Sequence, residues 1–392
     1  MKRTSFSLCH RAVILSTLLL AALAFSSCSS TSKYYVAAYV WPSCHDDSVA
    51  HKYLWPQGDG EWEVIRQGTP RFEGHYQPRQ PLWGYEHDDD PKVVEKWIDT
   101  ALAHGVNTFV YDWYWFLGGP YLEGALDDGF LGARNNRKMN FYIMWANHTV
   151  VRNYWNYHLY GDDTSVLFSP QVDWENWKKI VDRVITQYFR RPNYVKIDGC
   201  PVFAIFSMDE FIKSFADLDE ASRAMDYLRA EAVKAGFKGI HLQENPGGGF
   251  WVDDSNRAWM EQKIQALGID SYAFYNMGGF DCDYLAHGAL AIDIRNQWDK
   301  MLTTPLFPTV SIGWDDTPRF PAKGAADVTR FHNTPQAFES FLREAKRYAD
   351  THPAQPPFIY INAWNEWVEG SYLLPDRLNG FGYLEAVKHV FK

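Results

Sequence analysis

Short apolar runs alternate with amphipathic stretches along the chain from residue 34 to its end. Most of the apolar runs are uninterrupted at their start, as parallel strands buried on both faces must be. They are rich in β-branched and aromatic residues and lie at 34–41, 107–115, 140–148, 201–207, 239–245, 269–276, 307–316 and 358–367. The stretches between them predict helices at 91–104, 173–189, 219–235, 256–266, 291–302, 334–350 and 381–390.

Eight strand-then-helix repeats over this length predict an α/β fold, a (β/α)8 barrel in a single domain at 29–392. One long loop interrupts the regular alternation of strands and helices. About fifty residues rich in Gly, Pro, Trp, Tyr and His separate the first strand from the helix that begins near Pro91. Loops this long inside a compact domain are usually functional. We expect this one to arch over the carboxyl-terminal mouth of the barrel, where active sites lie.

Residues 1–28 predict an export signal. Basic residues precede an apolar run at 12–25, which is too short to span a bilayer. Small residues follow, and Cys28 resembles the acylation site of a bacterial lipoprotein, with plain cleavage near Ala24 as the alternative. We therefore expect an exported protein whose contact with a membrane, at the periplasm or the cell surface, is a lipid anchor on Cys28.

The composition of the chain indicates which classes of ligand it can bind. The formal charge of −10 disfavours nucleic acid, because an acidic surface repels phosphate backbones. Aromatic residues make up 17% of the chain, which suits stacking on sugar rings and is equally compatible with an aromatic-rich core.

No cluster of His, Asp and Glu has metal-ligand spacing, so we expect neither metal nor cofactor. Cys44, Cys200 and Cys282 are too widely spaced for a disulfide framework and predict buried side chains with at most one bridge.

Polar and aromatic residues interrupt the apolar runs at their carboxyl ends, which converge on one rim in a barrel. Carboxylates and amides there can take sugar hydroxyls, and rings can cover the apolar sugar faces. Any single such residue has a structural alternative, and His148 in particular fits a hydrogen-bonded structural histidine. The predicted substrate-binding residues are Tyr39, Trp41, Asp112, Tyr114, Trp115, Trp145, Asn147, His148, Glu244, Tyr275, Trp314, Asp315 and Asn365.

The last strand ends in the sequence Asn-Glu-Trp-Val-Glu-Gly at 365–370. If the chain turns helically there, Glu366 and Glu369 lie on one face. Two carboxylates in a partly buried mouth cannot both ionise easily, so one pKa rises and an acid stands beside a base. Cleavage of a glycosidic bond needs such a pair. Two solvated loop glutamates are the alternative, and the flanking Trp364 and Trp367 favour the catalytic interpretation.

Four segments, 85–116, 121–131, 139–148 and 361–376, resemble the WbsX-type proteins, relatives of glycoside hydrolase family 99, the endo-α-1,2-mannosidases and mannanases. The likeness runs in order through most of the mature chain. It implies a (β/α)8 barrel and retaining, endo-acting hydrolysis of α-linked, mannoside-like glycans in polysaccharide or oligosaccharide substrates.

The resemblance also implies roles for individual residues. Glu366 would be the base that deprotonates the sugar 2-hydroxyl, which attacks the anomeric carbon and forms a 1,2-anhydro sugar. Glu369 would protonate the leaving group and later activate water. Tyr39 would form a wall of the subsite beside the cleaved bond. The chain departs from its relatives at Leu374, where they commonly have glutamate, and that third carboxylate is absent here or replaced by Asp376.

Two other functions stay open. Some WbsX-type proteins are described as glycosyltransferases of surface polysaccharide assembly, but we find no Gly-rich nucleotide loop and no D-x-D suited to a nucleotide-sugar metal. The acidic triplet at 88–90 is better interpreted as a helix N-terminus. A non-catalytic, glycan-binding lipoprotein is the other alternative, and the glutamate pair argues against it. We expect a monomer in either case.

The lipid anchor has a direct test. Cys28→Ala removes the thiol that would carry the lipid, so we expect the variant to move from the membrane fraction into the soluble extract. Cys9→Ala is the matched control and should fractionate like the parent protein. Membrane association that survives Cys28→Ala would show that the chain is not anchored at this cysteine.

Overall fold

A computed structural model describes residues 33–248 and 251–392. Parallel strands pair in sequence order, and the last strand pairs with the first through Tyr35 and Phe358, which closes a barrel. The seventh strand is in two halves joined at Pro308, one paired with the sixth strand and one with the eighth. The predicted (β/α)8 barrel is thereby confirmed. Its strands are β1 (Tyr35–Val40), β2 (Thr108–Phe116), β3 (Asn140–Trp145), β4 (Cys200–Ile205), β5 (His241–Glu244), β6 (Ser271–Ala273), β7 (Leu306–Phe307 and Thr309–Ser311) and β8 (Phe358–Asn362).

Seven longer helices follow the strands. They are α1 (Pro91–Ala103), α2 (Trp174–Arg183), α3 (Leu218–Lys234), α4 (Arg257–Leu267), α5 (Tyr284–Met301), α6 (Pro335–Thr351) and α7 (Gly382–Phe391). A π-helical segment, Val184–Phe189, extends α2, and the segments between β2 and β3 are the π-helical Ala125–Phe130 and the 3-10 helix Asn136–Lys138. Shorter helices lie at Ser48–Tyr53, Trp62–Ile65, Arg152–Trp155, Tyr157–Tyr160 and Met208–Ile212.

Helix starts follow from capping chemistry. Asp90 accepts a hydrogen bond from Lys92 N (2.8 Å), so the acidic triplet does begin a helix, as the sequence predicts. Thr334 caps α6 in the same way. Helix α5 begins at Tyr284, before the predicted residue 291, because the Asp283 side chain caps it there.

Buried hydroxyls and an amide fill the barrel interior. Tyr142 Oη donates to Tyr360 Oη (2.8 Å), and Tyr360 Oη donates to Gln243 Oε1 (3.2 Å). The Tyr39 ring packs on Tyr360 (5.6 Å between centroids). Because these polar groups satisfy each other, the barrel has a rigid floor beneath its carboxyl-terminal mouth.

The described residues can be compared with two predictions, one about contact with a membrane and one about the cysteines. Within 33–248 and 251–392, no helix is long and apolar enough to cross a bilayer. The predicted signal and Cys28 lie outside the described residues, and both stay predictions. Cys44, Cys200 and Cys282 are all free thiols, and Cys44 is buried, while the other two are partly exposed.

Candidate active site

A cavity of about 550 Å³ opens where the strands end, within the range of about 300–1,000 Å³ typical of small-molecule sites. We call it the main cavity. Its charged lining residues are Asp112, Arg319, Glu366 and Glu369. Its aromatic lining residues are Trp41, Tyr114, Tyr154, Trp155, Phe206, Tyr275, Trp314 and Phe320. Four ionisable groups among rings in one concave site can recognise a ligand that combines hydroxyls with apolar faces.

The glutamate pair lies on a tight turn directly after β8. A two-residue strand, Asn365–Glu366, pairs with Ser371–Tyr372, and the intervening Trp367–Glu369 forms one 3-10 turn. Side chains three residues apart lie on the same side of such a turn, so both carboxylates reach the cavity.

Gly370 ends the turn with φ of +66°, a left-handed conformation that favours glycine. A Cβ at this position would lie 2.9 Å from Asp315 Cβ, so no side chain fits there. Asp315 N also donates to Glu369 O (2.7 Å). The loop after β7 therefore holds the backbone of the glutamate turn.

Tyr275 links two carboxyl groups. Its Oη lies 2.9 Å from Asp112 Oδ2 and 2.8 Å from Glu366 Oε2. A phenol has one proton and donates it to one carboxylate, so the second contact requires a proton on the other carboxyl group. One of the two carboxyl groups, Asp112 or Glu366, is therefore protonated and donates to Tyr275 Oη, while the phenol donates to the other. Asn362 Nδ2 also donates to Glu366 Oε2 (3.2 Å), which makes Oε1 the oxygen available to a ligand.

Glu369 has a different partner. Arg319 Nη1 donates to its Oε1 (3.1 Å), while Nε and Nη2 of the same guanidinium donate to Glu61 Oε1 (3.0 and 2.7 Å). Glu61 is itself held by Trp41 Nε1 (2.6 Å). Arg319 therefore contacts two buried carboxyl groups. The ion pair with Glu61 compensates the positive charge of the guanidinium.

Burial sets the acid–base properties of the pair. It raises the pKa of Glu366 from 4.5 to about 7, and the neighbouring Asp112 charge adds to the effect. Burial and then the charge of Glu366 raise the pKa of Glu369 well above its usual value, against the opposing effect of Arg319. Burial also raises the pKa of Asp112. Around neutral pH the main cavity retains protons on carboxyl groups, as a general acid requires.

The predicted residues divide into two groups. On the wall of the main cavity are Trp41, Asp112, Tyr114, His148, Tyr275, Trp314, Glu366 and Glu369. Away from this wall are Tyr39, Trp115, Trp145, Asn147, Glu244, Asp315 and Asn365. Strand ends do converge on the site, but a strand end alone does not tell which side chains face it.

Three side chains of the second group are buried in packing. Tyr39, expected as a subsite wall, lies beneath Tyr275 (4.8 Å between ring centroids), and its Oη accepts from Asn245 Nδ2 (2.6 Å). Trp145 stacks on Trp177 of α2 (5.9 Å), on the other face of β3. Trp115 packs against Trp113, two residues earlier in β2, with the two rings tilted by 36°.

The other four residues of the second group form hydrogen bonds or ion pairs that hold neighbouring segments together. Asn147 exchanges two hydrogen bonds with the Ser207 backbone, and Asn365 does the same with Trp41, joining the ends of β8 and β1. Glu244 forms a buried ion pair with Lys263 (3.2 Å). Asp315 Oδ2 accepts from three side chains of the long loop after β1, which are His75, Gln77 and Arg79.

The long loop does not arch over the mouth as expected, since none of residues 42–90 lines the main cavity. Two ion pairs, Arg79 with Asp315 and Glu61 with Arg319, hold it against the loop after β7. The cavity wall comes instead from Tyr154 and Trp155 after β3 and from Arg319 and Phe320 after β7.

Sequence reasoning missed these four residues and Glu61. They lie in the connections between barrel strands and longer helices, in irregular segments or at one-turn helices, which are too short for a hydrophobic period to indicate which way a side chain points. Asp376, considered as a substitute for the missing third carboxylate, accepts from Tyr372 Oη (2.7 Å) and does not line the main cavity. In the described part of the chain, no group of three or more His, Cys, Asp or Glu residues is placed to hold a metal ion.

Solved structures share this architecture. A GH99 endo-alpha-mannosidase from Bacteroides thetaiotaomicron superposes with a TM-score of 0.53 and 14% identity, covering 91% of this chain and 96% of that one. A glycoside hydrolase-like protein gives 0.57 and 14%, covering 92% and 95%. Identity this low shows the fold alone, and the fold is that of (β/α)8 barrels in which glycoside hydrolases occur.

The chain belongs to the family described as Glycosyltransferase WbsX, whose model matches residues 36–387. The predicted membership is thereby confirmed. A relative from Xanthomonas campestris pv. campestris, the uncharacterised protein WxcX, is 25% identical over 343 residues. That match covers 85% of this chain and 46% of the relative, so the chain spans about half the length of the curated relatives it matches.

The raised pKa of Glu366 predicts a measurable cost to stability. Between pH 4.5 and about 7 the unfolded carboxyl ionises while the folded one stays protonated, so this group destabilises the fold as pH rises. Glu366→Gln removes the effect and should raise the free energy of unfolding at pH 8 by on the order of 3 kcal/mol.

Thermal and urea unfolding across pH 4–8 measure this difference. The gap between Glu366→Gln and the parent protein should close towards pH 4, and the exposed Glu73→Gln should show no comparable trend. A gap that is constant with pH, or one that widens towards pH 4, would contradict the assigned direction.

Proposed function

We propose that this protein is a glycoside hydrolase that cleaves α-linked glycans with retention of configuration. One observation carries the proposal. Two buried carboxyl groups with raised pKa values lie on a single turn in an aromatic-lined cavity and hydrogen-bond each other. Their other partners differ, since Glu366 contacts Tyr275 and Glu369 contacts Arg319. Different surroundings for two carboxyls support different roles in one reaction.

In the first step Glu366 is the base. Its Oε1 accepts the proton of the sugar 2-hydroxyl, and the freed oxygen attacks the anomeric carbon. The bond from that carbon to the leaving oxygen breaks, and the proton on Glu369 moves to the leaving oxygen. The products are a 1,2-anhydro sugar and the released alcohol. Burial and the charge of Glu366 raise the pKa of Glu369, so Glu369 can hold the proton that the leaving oxygen receives, while Tyr275 and Asn362 contact the Glu366 carboxyl that acts as the base.

In the second step the roles reverse. The Glu369 carboxylate accepts a proton from water, and the water oxygen attacks the anomeric carbon. The three-membered ring opens, and its oxygen recovers a proton from Glu366. Two displacements at one carbon give net retention. Arg319 supports both steps, since it orients Glu369 and compensates its charge when the proton has left.

The substrate class follows from the cavity and the fold. Rings such as Trp41, Trp155 and Trp314 can cover the apolar faces of a pyranose, as aromatic side chains commonly do for ring-shaped ligands. The fold neighbour named as an endo-alpha-mannosidase makes α-linked mannosides, attacked within a chain, the first substrates to test. We also propose that the protein is exported and is anchored through Cys28.

A glycosyltransferase is the second candidate, and the family description supports it. Such an enzyme would transfer a sugar from an activated donor to a glycan acceptor, and not to water. Incubation with nucleotide sugars and glycan acceptors, and separately with glycans in water, distinguishes the two activities by the mass of the products. Hydrolysis without a donor is the result that we expect.

Variants separate the two glutamates. Glu369→Ala lacks the acid, yet an aryl glycoside with an acidic phenol leaves without protonation, so the first step should proceed and the second should stall. Azide needs no deprotonation and should restore turnover, giving a glycosyl azide of retained configuration. In Glu366→Ala the 2-hydroxyl is not activated, and neither azide nor a better leaving group should help. Each loss should be roughly 10²- to 10⁴-fold.

The exposed Glu73→Ala is the matched control and should react like the parent protein. Rates and azide products are measured for all variants with the same aryl glycoside. Azide rescue at position 366 and none at 369 would reverse the two roles. Parent-like rates in both variants would end the hydrolase proposal for this site.

A further inference from the structure

A second cavity of about 560 Å³ adjoins the main cavity. The two share three lining residues, Gly248 after β5, Asn276 after β6 and Trp314 after β7. A chain that occupies the main cavity can therefore continue past Trp314 into the second cavity. Its other lining residues are Trp251, Met277, Gly279, Phe280, His287, Leu290, Ser311 and Gly313.

Two loops pack closely at the boundary between the cavities. Gly248 N donates to Asn276 Oδ1, and Gly279 N donates to Gly248 O (2.8 Å). A Cβ on Gly248 would lie 2.5 Å from Asn276 Oδ1 and 2.6 Å from Met277 O. Only glycine permits this close approach of the two loops.

Two aromatic rings of the second cavity reach solvent. Trp251 is 42% exposed and Phe280 is 41% exposed, which is high for residues of their size. Both belong to the wall of a concave site, where a flat ring offers a stacking face to a sugar ring.

The lining points to an uncharged ligand. The residues described around the second cavity include no Lys, Arg, Asp or Glu. A uronate or phosphate group would find no countercharge among them, whereas a neutral pyranose finds aromatic rings on which it can stack.

We propose that the second cavity binds a further neutral pyranose ring of the glycan chain whose glycosidic bond lies in the main cavity. The ring stacks on Trp251 or Phe280. This assignment rests on the proposed function, and it makes long chains better ligands than short ones.

The test measures affinity against chain length. α-Linked manno-oligosaccharides, from the disaccharide upward, are titrated calorimetrically into the full protein carrying Glu366→Gln, which prevents turnover. We expect affinity to rise with chain length, and Trp251→Ala to reduce that rise by about tenfold, as 1.4 kcal/mol of lost stacking would. Phe280→Ala is a second exposed variant. Trp259→Ala, 41% exposed on α4 and outside both cavities, is the matched control.

The outcomes are distinct from those for the proposed function. Loss of the length dependence in Trp251→Ala or Phe280→Ala, with Trp259→Ala unchanged, supports the second cavity even if the parent protein hydrolyses none of these sugars. Affinity independent of chain length, or a length dependence that both variants retain, overturns the inference. Hydrolysis of the same series by the parent protein decides the proposed function separately.

Discussion

One buried guanidinium, that of Arg319, determines how the site is assembled. It joins the loop after β7 to Glu61 in the long loop after β1 and to Glu369 after β8. Removal of one partner from a buried ion pair costs about 3–5 kcal/mol, because it leaves an uncompensated charge. Carboxylates outnumber this guanidinium, since Glu366 and Asp112 line the same cavity. Ionisation of all these carboxyl groups in a buried site is unfavourable, so some of them stay protonated. A protonated carboxyl group in the cavity can then act as the general acid.

Much of the fold can be predicted from the sequence, because every strand and helix of the barrel has a hydrophobic periodicity of its own. That periodicity is visible in a short segment without knowledge of the rest of the chain. Each predicted strand and helix is present, and the differences lie at the ends, as at α5. The glutamate turn is also predictable, since Gly370 behind Glu369 indicates a tight turn at the end of a buried strand. The WbsX-type segments then point to the family that the match over residues 36–387 confirms.

The details of the site are harder to predict for a physical reason. Residues in strands alternate between two faces, so neighbours at one strand end point in opposite directions, as Tyr114 and Trp115 do. Aromatic content misleads in the same way, because Trp145 and Trp177 fill the space between strand and helix. Arg319 comes from an irregular loop, and only the folded chain brings it to Glu369.

The central claim is that two displacements occur at one carbon, with Glu366 and Glu369 dividing the proton transfers. Proton NMR of an α-linked manno-oligosaccharide digest, recorded before the released sugar mutarotates, tests it most directly. The account predicts that the first product is the α-anomer, which then equilibrates with the β-anomer. A first product in the β-configuration would mean a single displacement by water and would contradict the mechanism while leaving the fold unaffected.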